Sequence, residues 1–171
     1  MENAAAKNMF NPGLRLRHFS CIASKDNLQT HLEWSCDTIA RFLPAIHDRD
    51  LGWRLSDIDL AVNKLLALAD RRDLRDYLDI VALHQSGLTI ATLANAAPGK
   101  DEHLTPRLVL DNITRNTRFS LQELRSADLL APIHPIAVKQ VFLNAVADAR
   151  DILSQLSLDD AGMIFLDQHD H

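Results

Sequence analysis

The sequence is poor in the residues that staple or interrupt a chain. Cys21 and Cys36 are its only cysteines. They lack C-x-x-C spacing, so free thiols in a reducing cytoplasm are expected. Five glycines and six prolines in 171 residues leave room for long regular elements. No charged stretch followed by an apolar run opens the sequence, so no signal peptide is expected. The apolar runs fall far short of a membrane span, and a cytoplasmic protein with no membrane contact is the expectation. Basic charge is not in excess either: 18 Lys+Arg stand against 23 Asp+Glu, a net charge of -5. A protein that coats nucleic acid is usually basic, so any such contact must come from a local patch. Finally, there is no Gly-Ser dipeptide anywhere in the chain.

What is present suits one domain, or one domain with an appendage. With 47% hydrophobic and 24% charged residues, the chain can pack a core. Asn11-Pro12-Gly13 marks a turn after a loose leader. Leu14, Leu16 and His18 then alternate with Arg15, Arg17 and Phe19. After "SKDN" (24–27), Leu28, Thr30, Leu32 and Trp34 alternate again, which predicts a β-hairpin over 14–36. "FLPAI" (42–46), "GWRL" (52–55) and "MIFLD" (163–167) are candidates for short further strands. From Ser56 onward the period changes to that of a helix. Ser56 followed by Asp59 reads as a capping-box start. Ile58, Val62, Leu65, Leu66 and Ala69 then fall on one stripe, predicting a helix over 57–70. Further helices are expected at 73–85, 88–97, 105–117, 120–127 and 134–156. The expected fold class is α+β, a small N-terminal antiparallel sheet fragment followed by a helical C-terminal bundle. The expected division is 1–55 for a partial sheet region and 56–171 for a helical domain.

Asp57-Ile58-Asp59 has the spacing with which nucleotidyltransferases hold magnesium. Two carboxylates two apart on a strand share a side and can bind one ion together. On a helix start they point about 200° apart, and the apolar stripe puts them there. The expectation is therefore that both cap a helix and favour its dipole. Beyond them lie Lys64, Arg71, Arg72, Arg75, Asp76 and Asp79. Asp70-Arg71-Arg72-Asp73 reads as a polar joint between two helices; Lys64 and Arg71 are seven apart and would share a face if the helix ran through, while Arg72–Asp76 and Arg75–Asp79 are i,i+4 pairs. On spacing alone these are exposed ion pairs, each worth little.

The order of residue types is more specific. "DLAVNKLLALADRRDLRDYLDIVAL" (59–83) resembles the segment just after the catalytic core of AbiEii/AbiGii-toxin-type nucleotidyltransferases. There an aspartate-led helix carries a lysine and Ala-Leu, followed by an arginine, an Arg-Asp pair and a second aspartate. The resemblance spans about residues 30–115, with "ANAAPGKDEHLTPRLVLDN" (94–112) included. It implies that Lys64, Asp76 and Asp79 belong to the catalytic group, Lys64 on phosphate. Lys64, Arg71, Arg72 and Arg75 would contact the nucleotide. "HLEWS" fits the strand that bears the family's third acid, which nominates Glu33 as a catalytic residue and metal ligand. The implied cofactors are magnesium and a nucleoside triphosphate if the protein is active, and none otherwise. The implied acceptor is tRNA.

The departure matters as much as the match. The family's Gly-Ser turn and first two carboxylates have no counterpart among the 32 residues before Glu33. The expectation is the later part of such an enzyme, truncated and weakly active or inactive alone. The alternative is a non-catalytic interaction module or remnant that binds a protein partner or a second copy of itself. Other candidates are weaker. His169 and His171 lack a third metal ligand. His18, Ser20 and Cys21 lie close together on one predicted strand and cannot converge as a triad. Gly99-Lys100 lacks the rest of a phosphate loop.

Overall fold

The computed structural model of the protein describes residues 18–25, 28–35, 40–50, 52–127 and 132–164. Its fold is α+β, with strands first and helices after them. The contact pattern divides the chain into two compact units between Ile39 and Ala40.

In the first unit, β1 (His18–Lys25) pairs with β2 (Leu28–Ser35) in an antiparallel hairpin. The expected hairpin is present over these residues, while 14–17 and Cys36 lie outside the described ones. The register sets Cys21 opposite Leu32, Ala23 opposite Thr30 and Lys25 opposite Leu28, so these pairs share a face. Ile22, Leu28 and Leu32 are exposed.

The second unit opens with a smaller hairpin, β3 (Ile46–Asp48) and β4 (Gly52–Arg54). Gly52 takes a positive φ of 77° at the end of its turn, a conformation glycine adopts without a Cβ penalty. Strand structure expected at 42–45 is not seen. Met163 and Ile164 are not in a strand, and 165–167 lie outside the described residues.

Six α-helices follow among the described residues: α1 (Asp57–Asp70), α2 (Leu74–Gln85), α3 (Ile90–Ala96), α4 (Pro106–Asn116), α5 (Leu121–Arg125) and α6 (Pro135–Gln155). Local chemistry explains their limits. Ser56, Asp73, Thr89, Thr105 and Ser120 are N-caps whose side chains accept backbone N–H groups of the first turn. Pro106 and Pro135 stand at helix starts, where a missing N–H costs nothing. The far end of α1 is closed from a distance: Asn116 Nδ2 donates to the carbonyls of Leu68 at 3.0 Å and Ala69 at 2.9 Å. It satisfies orphan acceptors that a chain end otherwise leaves to water.

The expected stripe of α1 is the centre of the core. Val62, Leu65 and Leu68 are fully buried. Around α1 pack α2, α3 and α4, and α6 closes over α2, α3 and α4. Tyr77 of α2 meets Phe119 and Phe142 with ring centroids 5.3 and 5.0 Å apart.

One polar contact runs through this core. Asp59 does not serve as a cap carboxylate; this corrects the expectation for it, although Ser56 does cap α1 through the Asp59 N–H. The Asp59 side chain is fully buried, with Oδ1 2.9 Å from the equally buried ammonium of Lys100. The Ser56 hydroxyl donates to its Oδ2 at 2.7 Å. The backbone N–H groups of Phe42 and Leu43 donate to the same carboxylate at 3.1 and 3.3 Å. Lys100 also donates to Asn63 Oδ1 at 2.7 Å and the Asp59 carbonyl at 3.2 Å, so all three of its protons are used. Burial by itself would raise the Asp59 pKa. Lys100, Ser56 and the two N–H groups outweigh it and bring the value down to about 2.

Beside this pair the backbone closes tightly. A Cβ on Gly99 would lie 2.5 Å from the Gly162 carbonyl oxygen and 3.0 Å from the Phe42 ring. Asn95 fixes the same loop through Nδ2 bonds to the carbonyls of Asp160 and Met163 at 2.9 and 3.1 Å.

Lys100→Met, which strands a buried carboxylate, is expected to cost about 3–5 kcal/mol in urea unfolding at neutral pH. The pH dependence has a definite sign. A carboxyl depressed on folding contributes stability above its ordinary value of 3.8, and loses it as pH falls toward about 2. That contribution is about 2 kcal/mol. Unfolding curves of Asp59→Asn should therefore show an acid-induced loss smaller by this amount than those of the parent chain.

Candidate functional site

The segment 56–80 builds its site where α1 ends and α2 begins. Lys64 sits one face round from the core stripe of α1. The helix stops after Asp70 because Arg71 is extended, at φ -133° and ψ 157°. Asp73 then caps α2, accepting the N–H of Arg75 at 2.8 Å and of Asp76 at 3.3 Å. This tight reversal lays the first turns of α2 against the last turns of α1.

The result is a four-residue charge cluster. The Lys64 ammonium lies 3.1 Å from Asp76 Oδ1 and 2.8 Å from Asp79 Oδ2. Arg71 donates through Nε at 3.0 Å and Nη2 at 2.9 Å to the other oxygen of Asp76. Asp76 is the buried hub, with its side chain 3% exposed, whereas Lys64 is 44%, Asp79 49% and Arg71 62% exposed. For Lys64, burial works against the charged form, but the hydrogen bonds and charges of Asp79 and Asp76 prevail and raise its pKa. Formally the two cations and two carboxylates cancel.

Lys64 and Asp79 face an open groove of about 480 Å³, lined also by Asp57, Leu60, Leu83 and Ser86. Asp57 stands at the rim, tied to Arg54 at 2.6 Å. Both Asp76 oxygens and one oxygen each of Asp79 and Asp57 are held by cations, which compete with a hard metal for these carboxylates. Among the described residues no group of three or more His, Cys, Asp or Glu is placed to hold a metal.

Of the nominated residues, Lys64, Arg71, Asp76 and Asp79 come together. Arg72 does not. Instead of Asp76 it pairs with Glu123 and lies 4.3 Å over the centroid of the Phe119 ring. Arg72 and the N–H of Ser120 hold the Glu123 pKa down at about 2. Arg75 is exposed, and no ion pair joins it to Asp79 among the described residues. Both i,i+4 pairs expected on α2 are therefore replaced, because Asp79 turns back to α1 and Arg72 reaches α5. Glu33 lies on β2 opposite Ser20, and its side chain lies outside the described residues, as do His169 and His171. In the sequence Lys100 reads only as part of an incomplete phosphate loop, not as a core ion-pair partner. Its partner is 41 residues away, and only "GK" between helices marked it.

Matches to known proteins are absent at every level compared: no family model, no curated protein and no solved structure corresponds to this chain.

The hub and its rim should separate by unfolding. Asp76→Asn is expected to cost about 1–3 kcal/mol, because it weakens a buried acceptor of three charged donors. Asp79→Asn should cost less than about 1 kcal/mol, as exposed pairs do. Equal losses for both would contradict the assignment of Asp76 as the hub.

Proposed function

We propose that this chain is a nucleotidyltransferase-like protein of the AbiEii/AbiGii toxin type, weakly active or inactive alone, whose helical unit contacts a nucleoside triphosphate through Lys64. One observation carries the reading. The lysine, arginine and two aspartates that the resemblance selected meet in one cluster, with Lys64 half exposed at a groove. A structural clip alone needs no opening beside the ammonium.

The division of labour follows from burial. Asp76, bonded on its other oxygen by Arg71, forms the fixed part and holds the Lys64 ammonium. Asp79 is the exchangeable part: half exposed and singly bonded, it gives way when a phosphate oxygen reaches the ammonium. Lysine suits this contact as a compact point charge. Arg75, exposed one turn before Asp79 on α2, adds positive charge on the way in. Arg72 is assigned no nucleotide contact, since Glu123 and Phe119 occupy it. Transfer of the nucleotide, with tRNA as the acceptor the resemblance suggests, needs carboxylates that this cluster does not supply.

A second reading has its own support. Ile22 and Leu28 of the β1–β2 hairpin are 64% and 75% exposed. Two strands alone make a marginal sheet, and apolar residues left on it suit a protein partner or a second copy. In that reading the chain is a non-catalytic interaction module.

Calorimetric titration of the full chain with each of the four nucleoside triphosphates, with and without magnesium, separates the two. Saturable binding that Lys64→Ala abolishes and Asp79→Asn preserves or tightens is the expected result. Absence of binding by a folded chain would leave the interaction module as the function.

A further inference from the structure

A second recess opens where α2, α4, α5 and α6 meet, independent of the Lys64 groove. It holds about 590 Å³, within the range of small-molecule sites. Its wall is aromatic: Tyr77, Phe119 and Phe142 line it, with Tyr77 edge-on to Phe142 at 5.0 Å and 62°.

Tyr77 is the unusual member. It is 2% exposed, yet its hydroxyl makes no hydrogen bond to any described residue. Nor is that hydroxyl a sealed orphan, a description that among the described residues fits only His84 Nδ1. Tyr77 is one of the residues that line the recess. Packing alone would be served by phenylalanine, since a phenol in an apolar wall without a partner is unfavourable. A tyrosine is protonated at neutral pH at its ordinary value of 10, and burial pushes the Tyr77 pKa further up, to about 12.

The charges at the mouth are mostly positive. Arg118 is exposed and has no ion pair among the described residues. Lys139 donates to the Phe119 carbonyl and forms no ion pair among the described residues. Glu123, the one acid lining the recess, is matched by Arg72. An unmatched donor inside an aromatic wall, with uncompensated cations outside it, defines complementary chemistry: a flat apolar body ending in an anion.

We infer that this recess binds a small aromatic carboxylate, with its ring against Phe142 and its carboxylate accepting the Tyr77 hydroxyl and facing Arg118. Here α2 carries two functions on adjacent residues. Asp76 turns to the Lys64 cluster and Tyr77 to the recess.

The chain has a single tyrosine, so isotope labelling of tyrosine gives one ring signal in the intact protein and reports on this site alone. Titration with 2-naphthoate is expected to move that signal saturably. By calorimetry, Tyr77→Phe and Arg118→Gln should each weaken binding about tenfold, as loss of one hydrogen bond or charge contact to an anion would. Uncharged 2-naphthalenemethanol should bind weaker than 2-naphthoate by a similar factor. Arg118 is exposed, so its variant tests the site without disturbing the core. A tyrosine signal that stays in place in a folded chain overturns the inference, as does unchanged affinity in the Arg118→Gln variant.

Discussion

The carboxylate of Asp59 is the point on which the rest of the helical unit depends. A charge without water is tolerated only where every lone pair finds a donor. Here the donors come from three places in the sequence: Phe42 and Leu43 before the β3–β4 hairpin, Ser56 at the start of α1, and Lys100 after α3. Satisfying one residue therefore fixes where three segments meet. The tight passage of Gly99 against Gly162 and the Asn95 bonds to Asp160 and Met163 then bring the end of the chain to the same place. An apolar core alone would allow the helices to slide by a residue; this pair does not.

A second hub, Asp76, does for the α1–α2 junction what Asp59 does for the core, with an important difference. The partners of Asp59 are sealed in, while those of Asp76 reach the surface. A sealed pair stabilises one arrangement. A buried hub with exposed cations keeps those cations positioned and still lets a ligand reach them. This contrast is why the nucleotide contact is assigned to Lys64 and not to Lys100, although both are lysines held by aspartates.

Much of the architecture was legible because it is local. The stripe of α1, the serine and threonine caps and the prolines at helix starts act within one or two turns, and they placed the helices close to their observed ends. The alternation of 28–34 marked β2 for the same reason. The cluster of Lys64, Arg71, Asp76 and Asp79 was legible as a set of residue types through a resemblance, but its pairing was not. Spacing assigned Arg72 to Asp76, four residues on, whereas the folded chain gives Arg72 to Glu123, 51 residues on. Asp59 was read as a cap since its neighbours in sequence offered nothing else.

By itself, the sequence determined the α+β class and the approximate helix boundaries. Each follows from side chains within hydrogen-bonding or packing reach along the chain. Only the tertiary structure decided that Asp59 and Lys100 are partners, that Asp76 is a hub, and that Tyr77 lines a recess with its hydroxyl unmatched. Those outcomes depend on which segments distant in sequence pack together. A buried charge or hydroxyl takes its partner from whatever that packing brings within about 3 Å.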